Sequence, residues 1–214
     1  MSAVVLLAHG SPDPRSQRAV QDTVTAVARG SGSTVTAAFL DHDERDLRTV
    51  VAQIDDDEHV AVLPLLLATA FHARVDVPAA VSALDRPVDL LDPIGHPSGV
   101  LDSILRRCAG PTVLVAAGTR DDEQRAAFAH AVARAAARTS VPAVAAYATG
   151  PGRRLTDATR PGGATVVPWL LAPGRLLDSV HESAGRHGCR SVGYGLLREP
   201  SFLRALDARV GARR

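Results

Sequence analysis

Two histidines stand at positions where a fold commonly places its chemistry. His9 closes an apolar run in LLAHGSPDP, and His72 follows another in LPLLLATAFHARVDVP. An imidazole ligates borderline divalent metals and accepts a proton near neutrality, so two of them facing one cleft suit ligation or proton transfer. They lie more than sixty residues apart and neither belongs to a local metal signature, so only the fold can bring them together. One such histidine reads most simply as a capping or core residue. Two in equivalent loops read as a reactive site.

The positioning elements follow from periodicity. Apolar runs of strand length occur at Ala3–Ala8, Thr34–Leu40, Val60–Leu67 and Val88–Leu91, each followed by a stretch with helical spacing. This βαβα order predicts a parallel sheet, whose ligands sit beyond the carboxyl ends of the strands. Asp13 and Pro14 open the first helix, Val20, Val24, Val27 and Ala28 form its stripe, and Gly30 is expected to stop it. Further helices are expected over 44–54, from Pro78, and over 99–107. Gly10 lets the chain turn between His9 and the helix.

After Gly110-Pro111 the pattern restarts. PTVLVAAGTRDDE lies over SAVVLLAHGSPDP, matching Gly118 to Gly10 and Asp121 to Asp13 at an offset of 108 residues. ATVVPWLLAPGRLLDSV lies over VAVLPLLLATAFHARVDV, with Pro168 over Pro64 at an offset of 104. Phe128, Val132 and Ala135 give the second copy its first-helix stripe, and 192–196 is expected to be its last strand. The fold class is therefore α/β: two similar doubly wound parallel-sheet halves related by internal duplication, 1–109 and 110–214, with a cleft between them. His9 aligns with Ala117 and His72 near Gly174, so only the first copy carries the pair.

Composition removes several function classes. The 214 residues suffice for a core without disulfides, and Cys108 and Cys189 form no C-x-x-C pair. All 24 basic residues are arginine, nearly balanced by 23 acidic ones to a net charge of +1, and aromatics are 3%. No nucleic-acid partner is expected from such a balance. The longest apolar run is too short for a bilayer and contains Pro64, and no leader pattern begins the chain. A cytoplasmic location without membrane association is expected. No glycine-rich phosphate loop occurs, so no nucleotide is expected.

LLAHGSPDPRS, FLDHDERDL, PLLLATAFHARVDVP and GHPSGVLDSILRR together resemble the CbiX/SirB-type sirohydrochlorin chelatases across the first half, and the degenerate second half resembles their fused forms. The resemblance implies two facing α/β halves that insert a divalent metal, Fe2+ or Co2+, into sirohydrochlorin, giving siroheme or a cobalt-corrin precursor. It places the metal-site and catalytic histidines at His9 and His72. Ala70 departs from the glycine common before the second histidine. Histidine phosphatases share the His-Gly after a first strand but need arginine before it, where this chain has Ala8.

Metal insertion needs a partly desolvated ion beside the macrocycle and acceptors for two pyrrole protons. Two neutral imidazoles fit, because they leave coordination positions open for the ring. Arg45 and Arg74 are candidates for the carboxylates around sirohydrochlorin, and Ser11 and Thr119 for hydroxyl or amide contacts with substrate. Asp41 and His42 read first as a solvated loop start, with a further acceptor as the second reading. Asp13 and Asp76 read as helix starts and His96 as structural, while His59, His130, His181 and His187 receive no role. The expected protein is a monomeric sirohydrochlorin ferrochelatase, with cobalt chelation or non-catalytic tetrapyrrole or metal binding as alternatives.

Overall fold

The computed structural model describes residues 2–68, 72–158 and 163–212. Valine-, leucine- and alanine-rich runs with no polar alternation form the central strands, which are buried on both faces as parallel sheets require, while the outer strands are partly exposed. Strands β1 (Ser2–Ala8), β2 (Thr34–Phe39), β3 (His59–Pro64) and β4 (Asp89–Leu90) pair in parallel in the order β2-β1-β3-β4. Strands β5 (Thr112–Ala116), β6 (Ala143–Tyr147), β7 (Thr165–Trp169) and β8 (Arg190–Ser191) repeat that order as β6-β5-β7-β8. The registers coincide: Ala8 pairs with Phe39 as Ala116 pairs with Tyr147, and Leu7 with Pro64 as Val115 with Pro168.

Helices α1 (Pro14–Ser31), α2 (Leu47–Val51), α3 (Val77–Ser82) and α4 (Ser98–Leu105) follow the first four strands, and α5 (Asp122–Thr139), α6 (Leu155–Ala158), α7 (Arg175–Arg186) and α8 (Pro200–Gly211) follow the next four. Asp13 opens α1 as expected, and its repeat counterpart Asp121 opens α5. Asp13 accepts from Arg15 N at 3.0 Å, and Asp121 accepts from Glu123 N at 3.0 Å. Asp76 differs: its backbone is already helical and its side chain makes no capping bond.

Several boundaries differ from expectation for local reasons. Gly30 stays inside α1, where an added Cβ would lie 2.7 Å from the Asp207 carboxylate, and Gly32 ends the helix at φ +64°. The last strand stops at Ser191 because Gly193 and Gly195 take φ of +96° and +97°, and Leu196–Arg198 forms a 3-10 turn. Ala70 lies outside the described residues.

The units of packing do not coincide with the repeats. One compact unit comprises the chain up to Gly95 together with Phe202 onward, and the other comprises His96–Ser201. The closing helix of each repeat has crossed over. Val100, Leu101, Ile104 and Leu105 of α4 are buried in the second unit, where Asp102 accepts from Arg138 of α5 at 2.7 and 2.9 Å. Phe202, Leu206 and Val210 of α8 are buried in the first unit, where Arg209 donates to Asp92 O at 2.8 Å. The first core gathers Val5, Leu7, Ala38, Val50, Val62 and Val77, and the second Val113, Val115, Val166, Leu177 and Val180. No helix among the described residues is long and apolar enough to cross a membrane.

Candidate metal-insertion site

The turn after β1 is fixed by backbone. Leu40 N donates to Ala8 O at 3.0 Å and Asp41 N to His9 O at 2.9 Å, extending the β1–β2 ladder past both strands. Gly10 sits at φ +96°, and a Cβ there would lie 1.8 Å from Asp41 O. Only glycine fits, for two independent reasons: the left-handed backbone and the contact. The chain then enters α1 through Ser11, whose Oγ accepts from Asp13 N at 3.2 Å. His9 is exposed beside this rigid turn.

His72 leaves the neighbouring strand. In the order β2-β1-β3-β4, β1 and β3 are adjacent, and Leu65 N donates to Leu7 O at 2.8 Å as β3 ends. His72 opens a π-helical turn, His72–Asp76, which runs directly into α3. Such turns are rare and concentrate at functional sites. The His72 side chain lies outside the described residues. The backbone nonetheless carries both histidines past the carboxyl ends of adjacent strands in one sheet.

The other predicted residues are placed less evenly. Arg74 is exposed in the same π-helical turn. Arg45 is held by its own loop: Nε and Nη2 donate to Asp43 at 2.9 and 2.8 Å, Nη1 donates to Gln21 at 3.1 Å, and the guanidinium lies 5.0 Å from the Phe39 ring centroid. Arg45 donating to Asp43 lowers that carboxyl's pKa and raises the guanidinium's. Asp41 and His42 are exposed in the loop after β2, with Asp41 Oδ1 accepting from His42 N at 2.7 Å and His42 at φ +60°. Among the described residues, no cluster of three or more His, Cys, Asp or Glu is arranged for a metal.

The second repeat holds the same turn with other side chains. Thr149 N donates to Ala117 O at 2.8 Å, and a Cβ on Gly118, at φ +112°, would lie 2.1 Å from Thr149 O. Thr119 Oγ1 accepts from Asp121 N at 3.1 Å, the counterpart of the Ser11 bond. Ser11 and Thr119 thus share a local turn-forming role.

His96 has the structural place expected of it. Trp169 Nε1 donates to its Nδ1 at 2.9 Å and its ring centroid lies 4.9 Å from that of Phe128. Burial pulls its pKa down to about 4, which keeps the imidazole neutral and able to accept that bond. Sequence reasoning missed the π-helical turn at His72 and the exposure of Tyr194, at 72%. In a chain with 3% aromatics, a Tyr between two glycines was the available signal for the second.

A comparison with curated proteins returned no match. Solved structures share the fold over nearly the whole chain. SirB from Bacillus subtilis with Fe3+ superposes with a TM-score of 0.81 at 22% identity, covering 98% of this chain and 94% of that one. SirB from Bacillus subtilis subspecies spizizenii in complex with cobalt gives 0.76 at 23% identity, with the same coverages of 98% and 94%. CbiX, described as the terminal enzyme for biosynthesis of siroheme in denitrifying bacteria, gives 0.69 at 18% identity and covers 98% of each chain. The family model CbiX matches residues 3–110, the stretch that contains both histidine loops and slightly more than half of the sequence. The chain therefore belongs to the CbiX family of sirohydrochlorin chelatases.

Proposed function

We propose that this protein inserts a divalent metal ion into sirohydrochlorin, with ferrous iron as the first choice of metal and cobalt the second. The observation that carries the reading is the family match over both strand-end loops, joined to the adjacency of β1 and β3. That cobalt and iron each accompany a SirB of the same fold keeps both metals in view.

In this reading His9 and His72 hold the metal ion while the macrocycle approaches. Each metal entering the ring displaces two pyrrole protons. The imidazole lone pair that releases the metal is the one then free to accept a proton, so ligand transfer and deprotonation are matched on the same nitrogen. Two neutral ligands hold the ion loosely enough for four ring nitrogens to win it. The fixed turn at Gly10 supports this by limiting how far His9 moves during the transfer. Arg74 stands in the His72 turn for a carboxylate of the substrate. Arg45 would have to leave Asp43 and Gln21 to take the same role.

The test is an anaerobic absorbance time course of sirohydrochlorin with Fe2+, Co2+ or Ni2+ at catalytic protein concentration, beside a His9→Ala variant and a protein-free control. Multiple turnovers above both controls are expected, and relative rates rank the metals. Uptake that halts at one equivalent identifies a binding protein instead.

A further inference from the structure

A cavity of about 270 Å³ opens within the unit His96–Ser201, walled by the C-terminal end of α4 and by β7, β8 and the segment that follows β8. The backbone creates it. In the first repeat the chain leaving β4 closes on β3 rung by rung: Leu91 N donates to Val62 O at 2.9 Å, Ile94 N to Pro64 O at 3.2 Å and Gly95 N to Leu66 O at 3.0 Å. In the second, Val192 N donates to Val166 O at 2.9 Å and the next rung is Leu196 N to Leu170 O at 2.8 Å, so residues 193–195 bow past Pro168. Gly193 and Gly195, at φ +96° and +97°, hold that bow, and a Cβ on Gly195 would lie 2.8 Å from Leu171 O. Pro168 and both glycines line the cavity.

The remaining walls divide by chemistry. Ile104, Val167, Val192 and Leu196 supply apolar surface, while Arg107, Cys108, Arg190 and Glu199 supply polar groups. Arg107 Nη2 donates to Glu199 Oε2 at 2.6 Å, and Glu199 also accepts from Ser201 Oγ at 2.9 Å, so that ion pair is neutral in itself. Arg190 makes no hydrogen bond or ion pair among the described residues, which leaves one positive charge uncompensated. Burial pushes the Cys108 thiol up while Thr112 and the Arg107 and Arg190 guanidiniums pull it back, so both charges are felt at the cavity wall. One uncompensated guanidinium beside apolar surface in a small cavity matches a monocarboxylate with a short hydrocarbon body. At liquid-like packing the volume takes about eight or nine non-hydrogen atoms.

We propose that this cavity binds a short-chain aliphatic carboxylate, its head forked on Arg190 and its hydrocarbon tail against Ile104, Val167, Val192 and Leu196. The site belongs to the second repeat alone and involves neither histidine loop.

Cys108 reports on it directly. Iodoacetate, a small carboxylate that alkylates thiols, is compared with neutral iodoacetamide on the folded full chain and on the chain in urea, with modification of Cys108 followed by mass spectrometry of its peptide. We expect the iodoacetate-to-iodoacetamide rate ratio to be at least about tenfold higher in the folded chain. Arg190→Ala, shown by thermal unfolding to be folded, should remove most of that preference, whereas Arg186→Ala, which removes a charge from the exposed end of α7, should leave it within about twofold. Hexanoate, which is of the size the cavity takes, should slow iodoacetamide at Cys108 by at least about fivefold and in a saturable way, and 1-hexanol should do so far less. This second measurement needs no variant. A folded chain with the same rate ratio as the unfolded one, a Cys108 that hexanoate fails to protect, or equal protection by 1-hexanol would each overturn the inference.

Discussion

At the end of β1, Asp41 N donates to His9 O and a glycine carries the chain under a carbonyl; at the end of β5, Thr149 N donates to Ala117 O and a glycine does the same. Ser11 and Thr119 then bond to the amides of Asp13 and Asp121, and each aspartate opens a long helix. The two turns are one backbone design with different side chains at its exposed position. Packing dictates the turn in both units, because strand, glycine and cap are needed wherever a buried strand feeds a helix. The residue before the glycine is left open by packing, and it is His9 in one turn and Ala117 in the other. A site and its scaffold can therefore be separated by experiment within one molecule.

The sharpest separation is in turnover. His9→Ala and His72→Ala should each reduce metal insertion by about a hundredfold to ten-thousandfold while thermal unfolding stays nearly unchanged. Ala117→Ser, at the equivalent place, should change turnover by less than about twofold. A large stability loss in either histidine variant would make that histidine a structural residue.

Stability should show the converse symmetry. Gly10→Ala and Gly118→Ala should each cost about 2–4 kcal/mol in urea unfolding, because each Cβ meets a backbone carbonyl at a left-handed position. A loss confined to Gly10→Ala would break the equivalence of the turns.

A third contrast concerns protons. His96 has a folded pKa of about 4 against an unfolded value of about 6.5, so only the unfolded chain binds that proton between these limits. Its contribution is fully present above pH 6.5 and is lost as the pH falls toward 4, a change of about 3 kcal/mol. Unfolding of the second unit should follow this window, and His96→Gln, which keeps an acceptor for Trp169, should flatten it. The smallest effect is at the caps: Asp13→Ala and Asp121→Ala should each cost about 1 kcal/mol.

What could be read from the sequence was whatever depends on neighbours in the chain. The strand runs, the Asp13 cap, the α5 stripe of Phe128, Val132 and Ala135, and the repeat all follow from local spacing, and the placement of His9 follows from the first strand. The last strand misread because Val192 and Leu196 look apolar enough, while Gly193 and Gly195 determine the backbone between them. The expected end of α1 failed on a distant partner, since Gly30 is small to admit Asp207. The tying of Arg45 to Asp43 is local in sequence, yet Gln21 and Phe39 reach it only through the fold. The π-helical turn at His72 has no periodic signature at all.

The exchange of closing helices sets an order of events during synthesis. The chain emerges from its N-terminus, so the strands and loops that carry His9 and His72 are made first. Their unit nevertheless includes Phe202, Leu206 and Val210. It must wait, with part of its apolar surface uncovered, until the last of these residues is made. The second unit, His96–Ser201, is one unbroken stretch and can close earlier. The unit begun before the other is thus the one finished after it, and the two histidines gain a complete fold around them only once Val210 has been made.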